Sequence, residues 1–220
     1  VRANGVVNFA VGSGTLKVRA ANGTSAATIN VVNTTGSTNQ SLSGTASFAG
    51  NSVDILAGTL TIASRAPTAT TNSASTTGSM TFDTGTLTAT TLALSSRGGS
   101  SLTTGSVTGT LTIGGTSAGT TATFTTVNMS TNSTSTANSS GNAISTLDIS
   151  GQGTVAVTTL NMGALSVSGA NASSSTQATL NIAGTGAVNI TTLNMGVSTL
   201  SGATATGGTF ATMNINGSTT

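Results

Sequence analysis

The chain has 220 residues, 29 of them glycine, with 4% charged residues and a formal net charge of +2. His, Cys, Trp, Tyr and Glu are absent. This composition excludes a disulfide framework, a His-activated nucleophile and a thiolate or imidazole metal site, and it denies a membrane barrel its usual aromatic girdles. Taken in chain order, short apolar-x-apolar triplets recur between Gly, Ser, Thr and Asn. Val7-Asn8-Phe9 precedes Gly14-Thr15-Leu16-Lys17-Val18, and Thr28-Ile29-Asn30-Val31 follows. Val53-Asp54-Ile55 leads to Gly58-Thr59-Leu60-Thr61-Ile62, and Met80-Thr81-Phe82 leads through Gly85-Thr86-Leu87 to Thr91-Leu92-Ala93-Leu94. Leu111-Thr112-Ile113-Gly114-Gly115 then precedes Phe124-Thr125-Thr126-Val127-Asn128-Met129.

The clearest copies come last. Leu147-Asp148-Ile149, a Gly151/Gly153 pair and Thr158-Thr159-Leu160-Asn161-Met162-Gly163 return 33 residues later as Leu180-Asn181-Ile182, Gly184/Gly186 and Thr191-Thr192-Leu193-Asn194-Met195-Gly196. Met213-Asn214-Ile215-Asn216-Gly217 opens a further copy at the same interval. With unit starts at Val7, Ile29, Val53, Met80, Leu111, Leu147, Leu180 and Met213, spacing runs from 22 to 36 residues and settles at 33.

Within a unit the apolar period is two, as in half-buried strands. The intervening Gly, Ser, Asn and Thr suit tight turns. Glycine content and β-branching oppose helix. Three or four strands of three to five residues cannot close a core, so units of this kind must stack, each strand pairing with its counterpart one coil away. The expected fold is all-β, a parallel β-helix (β-solenoid) of about seven to eight coils over residues 1–220, most regular over 147–217, with no globular second domain. At roughly 4.8 Å per coil such a rod is about 35–40 Å long. The predicted core columns are Leu147–Leu180–Met213, Ile149–Ile182–Ile215, Val157–Ile190, Leu160–Leu193 and Met162–Met195. The polar runs 132–142 and 168–177 are expected to protrude as loops from one corner. Pairing between chains, as in a curli-like amyloid, is the alternative use of the same repeats, but unequal units and bulky loops weigh against it.

Chemistry is scarce. The carboxylates are Asp54, Asp83 and Asp148. Asp54 and Asp148, read as outward triplet positions three or four coils apart, are too distant for a glycosidase pair, and Asp83 lacks supporting Arg, Tyr or Trp. A calcium-binding repeat needs a periodic Asp, and the glycine pairs fit no phosphate loop. No catalytic residue, cofactor or metal ligand is expected, and the chain is read as a non-enzyme. The isoelectric point near 10.7 reflects five scattered bases, Arg2, Lys17, Arg19, Arg65 and Arg97, over three acids. Without clustering or stacking aromatics they predict no nucleic-acid partner. No apolar run reaches the roughly 18 residues of a membrane-spanning helix.

Two features invite a functional reading. Asn128, Asn161 and Asn194 fall in one column, interrupted at Ala93, and either face solvent or form an amide ladder along the rod. Thr-x-Thr pairs at Thr59/Thr61, Thr86/Thr88 and Thr110/Thr112 resemble the flat arrays of ice-binding solenoids, yet they drift in register, and ordinary β-propensity accounts for them. Asn-x-Ser/Thr sequons, Asn22, Asn33 and Asn171 among them, are expected by chance in so Asn- and Thr-rich a chain.

The triplets, the Gly-Thr-Leu and Gly-Thr-Val turns and the Ser/Thr/Asn loops resemble the β-strand repeats of bacterial autotransporter passengers and related giant surface proteins. The resemblance covers nearly the whole chain and is best over 147–217. It implies a right-handed parallel β-helix outside a Gram-negative cell. The starting Val1 suggests a processed or excerpted chain, and a last unit that stops mid-coil suggests more repeats or head-to-tail stacking. The expected partner is therefore the chain itself, in an axial or lateral homopolymer. Surface glycans or other cells are the partners if the loops serve adhesion, and the expected location is secreted, on a bacterial cell surface.

Overall fold

A computed structural model describes residues 5–8, 14–35, 39–67, 73–100, 104–115 and 119–216. Arg2, Phe9 and Gly217, used in the sequence reading, lie outside these. Among the described residues there are fifteen strands and no helix. Sheet one holds, in stacking order, β1 (Gly5–Asn8), β4 (Leu42–Ser47), β6 (Thr76–Phe82), β9 (Val107–Ile113), β11 (Ala143–Ile149), β13 (Thr176–Ile182) and β15 (Thr209–Ile215). Sheet two holds β2 (Thr15–Val18), β3 (Ala27–Thr34), β5 (Ser52–Arg65), β7 (Thr84–Ala93), β8 (Ser96–Gly99), β10 (Thr121–Thr134), β12 (Thr154–Val167) and β14 (Val188–Leu200). Every pairing is parallel and joins one coil to the next. The protein is a β-solenoid of about six turns.

That is fewer than the seven or eight coils the triplets suggest. The reason lies in sheet one, whose continuous column is Val7–Ala46–Met80–Leu111–Leu147–Leu180–Met213. Its steps are 39, 34, 31, 36, 33 and 33 residues. Ile29 and Val53 are not unit starts but belong to sheet two, on β3 and β5. The sheet-one strand of that region is β4, Leu42-Ser43-Gly44-Thr45-Ala46-Ser47, whose inward Leu42 is followed by Gly44 and Ala46, too small to make an apolar triplet.

Inside, the columns are aliphatic. Ile29, Leu60, Leu92, Val127, Leu160 and Leu193 stack in sheet two, and Phe82, Ile113, Ile149, Ile182 and Ile215 stack in sheet one. Leu147, Ile149, Val157, Leu160, Met162, Leu180 and Ile182 are buried, and each contributes about 1.5–3 kcal/mol by leaving water. Ile190 and Met213 are partly buried against the same cluster. Leu193, Met195 and Ile215 keep the column register but stand 42%, 44% and 58% exposed, because β14 and β15 carry no described coil above them.

The two sheets meet through two kinds of corner. In three successive coils a glycine of sheet one faces a carbonyl or side chain of sheet two. A Cβ on Gly44 would lie 2.8 Å from the Val31 oxygen, on Gly78 1.9 Å from that of Ile62, and on Gly109 1.6 Å from that of Leu94. In the next three coils the sheet-one position is Ser145, Ala178 or Ala211. There sheet two turns through left-handed backbone instead, at Ser130 (φ 55°), Gly163 (φ 75°) and Gly196 (φ 70°). Side-chain room thus appears on sheet one only where sheet two bends away. Ser130 and Ser145 fill that room with a 2.6 Å hydroxyl–hydroxyl hydrogen bond.

The clash at Gly109 involves backbone, which cannot swing aside. Gly109→Ala is expected to cost about 1–3 kcal/mol through overpacking. Gly58→Ala, whose Cβ would meet nothing nearer than 3.8 Å, should change stability little. Thermal or urea melts of the two variants against the parent check this.

Candidate functional site

Strand alternation sends Asn128, Asn161 and Asn194 to the outside of sheet two, and the in-register pairing of β10, β12 and β14 puts them directly over one another. They are both outward and laddered: Asn161 donates through Nδ2 to Asn128 Oδ1 at 2.8 Å, and Asn194 donates to Asn161 Oδ1 at 2.8 Å. Ala93 ends the column below, opposite Asn128. A second ladder runs on sheet one, with Asn214 donating to Asn181 at 2.8 Å and Asn181 to the Asp148 carboxylate at 2.5 Å. A third, missed in the sequence reading, uses backbone donors. The N–H groups of Ser75, Ser106, Asn142 and Ser175 each donate to the side-chain oxygen of the preceding coil's Ser41, Ser75, Ser106 and Asn142, at 3.1–3.2 Å.

The sequon residues Asn22, Asn33 and Asn171 are exposed. Beside the asparagine ladder lies a shallow groove of about 280 Å³, with Asn128, Asn161 and Asn194 on one wall and Thr131, Ala164 and Val197 on the other. An amide offers two N–H donors and two lone pairs, and an inner rung of the ladder uses one of each. The other donor and acceptor stay available along the groove at one-coil intervals.

The polar runs 132–142 and 168–177 do not simply protrude. Asn132 and Thr134 are strand residues of β10 and buried. Ser139, Ala172 and Ser174 are also fully buried, and Ala172 packs with Leu165 and Val167 in a second small core. Asn132, Ser139 and Ser174 are held in by Arg97, itself 0% exposed. Its Nε donates to the Gly105 carbonyl at 2.7 Å, Nη1 to Asn132 Oδ1 at 3.2 Å and Ser174 Oγ at 3.3 Å, and Nη2 to Ser139 Oγ at 2.9 Å. One guanidinium therefore ties together turns from successive coils. Burial lowers its pKa to about 10, which leaves it charged at neutral pH. Arg65 is its neighbour in the coil below, buried as well, donating to the Gln40 carbonyl and Thr76 Oγ1. The sequence signal for this corner was the repeated Ser-Arg of Ser64-Arg65 and Ser96-Arg97, which pair in register.

The acids are dispersed. Asp54 is on sheet two and Asp148 on sheet one, so they do not share an outward column. Asp54 accepts from Arg19 at 2.5 Å and from Thr86 at 3.1 Å. Asp83 accepts from the Gly50 N–H at 2.9 Å. Among the described residues no group of three or more acids is placed to hold a metal ion.

The ladder sets one test. Asn161→Ala removes two neutral hydrogen bonds, one half-buried and one exposed, and should cost about 1–2 kcal/mol. Asn194→Ala removes only the exposed one and should cost less than half as much, as read by denaturant melts. A second test is electrostatic. The hydrogen bond from Arg19 holds the Asp54 carboxyl below the usual carboxylate range; desolvation opposes it, and Thr86 with the charges of Arg19 and Lys17 adds further lowering. A depressed folded-state pKa contributes stability above the unfolded value and loses it as pH falls through the folded one. Arg19→Gln should raise the Asp54 midpoint toward the ordinary range in a carboxyl ¹³C titration. No protein-family model, no curated protein and no solved structure matches this chain.

Proposed function

We propose that this chain is a non-catalytic structural element of a bacterial cell surface or extracellular matrix, a rod built and extended by axial stacking of like coils, whether further repeats of a longer chain or further copies of this one. The observation that carries this reading is the face of the top described coil. Leu193 and Met195 are 42% and 44% exposed there, whereas Leu160 and Met162 beneath them in the same columns are 0% and 1% exposed. The strand edges of β14 and β15 offer a row of backbone donors and acceptors beside those apolar ends, which is the template that β12 and β13 present to them in turn. Scarcity of charge supports the reading, since from residue 98 onward the only ionisable side chain is Asp148 and rods meet with little repulsion.

A second reading, an exported adhesin, is favoured by the groove along the asparagine ladder. It offers repeated amide donors and acceptors to a linear neutral glycan, a task the inward-tied corner turns fulfil less well.

Negative-stain microscopy of the purified chain tests the first reading. Filaments of one-rod width are expected, and they should be lost in Leu193→Lys/Met195→Lys, which places unpaired charge at the stacking face. Discrete compact particles at high protein concentration would sink it. Retention on a neutral glycan array that is lost in Asn161→Ala would favour the second.

A further inference from the structure

The outer face of sheet one carries an ordered hydroxyl grid. In β4, β6 and β9 the outward residues are Ser43, Thr45 and Ser47, then Thr77, Ser79 and Thr81, then Thr108, Thr110 and Thr112. The strands pair without a register shift, so the nine fall into three straight columns across three coils. The central column continues through Thr146, Thr179 and Thr212, which makes it hydroxyl-bearing over six rungs. All nine grid residues are exposed or half-exposed, and Ser79 donates to Thr45 Oγ1 at 3.1 Å. The Thr-x-Thr pairs picked out from sequence do not build this grid together. Thr59/Thr61 and Thr86/Thr88 lie on separate stretches of sheet two, and only Thr110/Thr112 belongs here.

What lies beneath the grid is an independent observation. Gly44, Gly78 and Gly109 are the inward residues of these same three strands, each seated against sheet two at backbone distance. With no side chain between the layers at that point, the platform has little freedom to ripple. The grid stops at the coil where the glycine column stops: Ser145 replaces Gly109, and the outward residues become Ile144, Thr146 and Asp148.

The chemistry restricts the partner. The grid bears no ionisable group and no aromatic ring, and each of its hydroxyls is both a donor and an acceptor. Ser79 spends its one hydrogen on Thr45 Oγ1, so the grid mixes accepting and donating positions without charge, and electrostatic complementarity calls for a neutral partner that can both donate and accept. Along a strand the hydroxyls are about 6.6–6.8 Å apart, and between coils about 4.8 Å. Nine positions span roughly 13 by 10 Å, far below the ~800 Å² per side of a stable protein interface, and the Trp, Tyr and Arg anchors of such interfaces are missing. Crystalline polysaccharide would be gripped by aromatic platforms, which the grid also lacks. A lattice of water meets every condition. It is neutral, its oxygens donate and accept, and it repeats in two dimensions, so the nine hydroxyls can engage it together.

We propose that the outer face of sheet one over β4, β6 and β9 binds ice. Bound waters held on the grid merge with the growing crystal plane, and the rod pins its front. Thermal hysteresis and ice-crystal shaping of the chain in dilute buffer test this directly. The parent chain should facet ice crystals and open a gap between melting and freezing. Ser79→Tyr, at the centre of the grid, should lose most of that gap while keeping the parent's circular dichroism and melting temperature. Thr123→Tyr, exposed on β10 of sheet two, should keep it. Unmodified ice growth with the parent chain would overturn the proposal, as would full activity in Ser79→Tyr or equal loss in both variants. These outcomes are independent of whether the rods form filaments.

Discussion

Parallel pairing between neighbouring coils is the constraint from which the rest follows. A single coil has one straight strand and one bent one, and their inner residues cannot surround each other without a coil above and below. Register therefore fixes everything at once: a one-residue slip would turn Leu160 outward and Thr159 inward through the whole stack. The backbone ladder is supplemented at three places by side-chain ladders, each made from short residues that reach only their own counterpart in the adjacent coil. Such bonds are weak singly. Repeated along the axis, they penalise slippage in proportion to the number of coils.

Charge is managed by position. Lys17, Arg19 and Asp54 form a small cluster in the lower coils, while Arg65 and Arg97 are withdrawn into the corner where sheet two returns to sheet one. A guanidinium suits that corner because its five donors lie in one plane and can satisfy carbonyl, amide and hydroxyl oxygens of several turns together. The outer faces are left mainly to Thr, Ser and Asn, which hydrogen-bond without repelling a neighbouring rod.

The upper coils were legible in the sequence because three of them repeat at a constant interval with the same residues at the same places. Met162 and Met195 or Asn161 and Asn194 could be superposed before any coordinates. The lower coils were not legible, for a physical reason. The recognisable triplet Val53-Asp54-Ile55 belongs to sheet two, and the strand that continues sheet one has Gly44 and Ala46 at the centre of its inner face, with close backbone approach leaving no space for a side chain at Gly44. A hydrophobic pattern does not announce a strand whose inner face runs from one leucine into glycine and alanine. The corner was hidden for the opposite reason, since arginine and serine read as surface while Arg97, Ser139 and Ser174 are buried together. The column of Asn128, Asn161 and Asn194 was found, but whether outward amides join needed the rise between coils.

The change of corner type midway along the rod has a consequence for how such a molecule grows over generations. Coils that carry Ala178 or Ala211 opposite a left-handed Gly163 or Gly196 are interchangeable parts, and tandem duplication of that 33-residue module inserts a new storey without disturbing its neighbours. A hybrid that joined the bend at Leu94 to a strand bearing alanine in place of Gly109 would collide with itself. Lengthening by gene duplication is thus easy above the seam and obstructed across it, so lineages of this rod should vary in height mainly through copies of the upper storey.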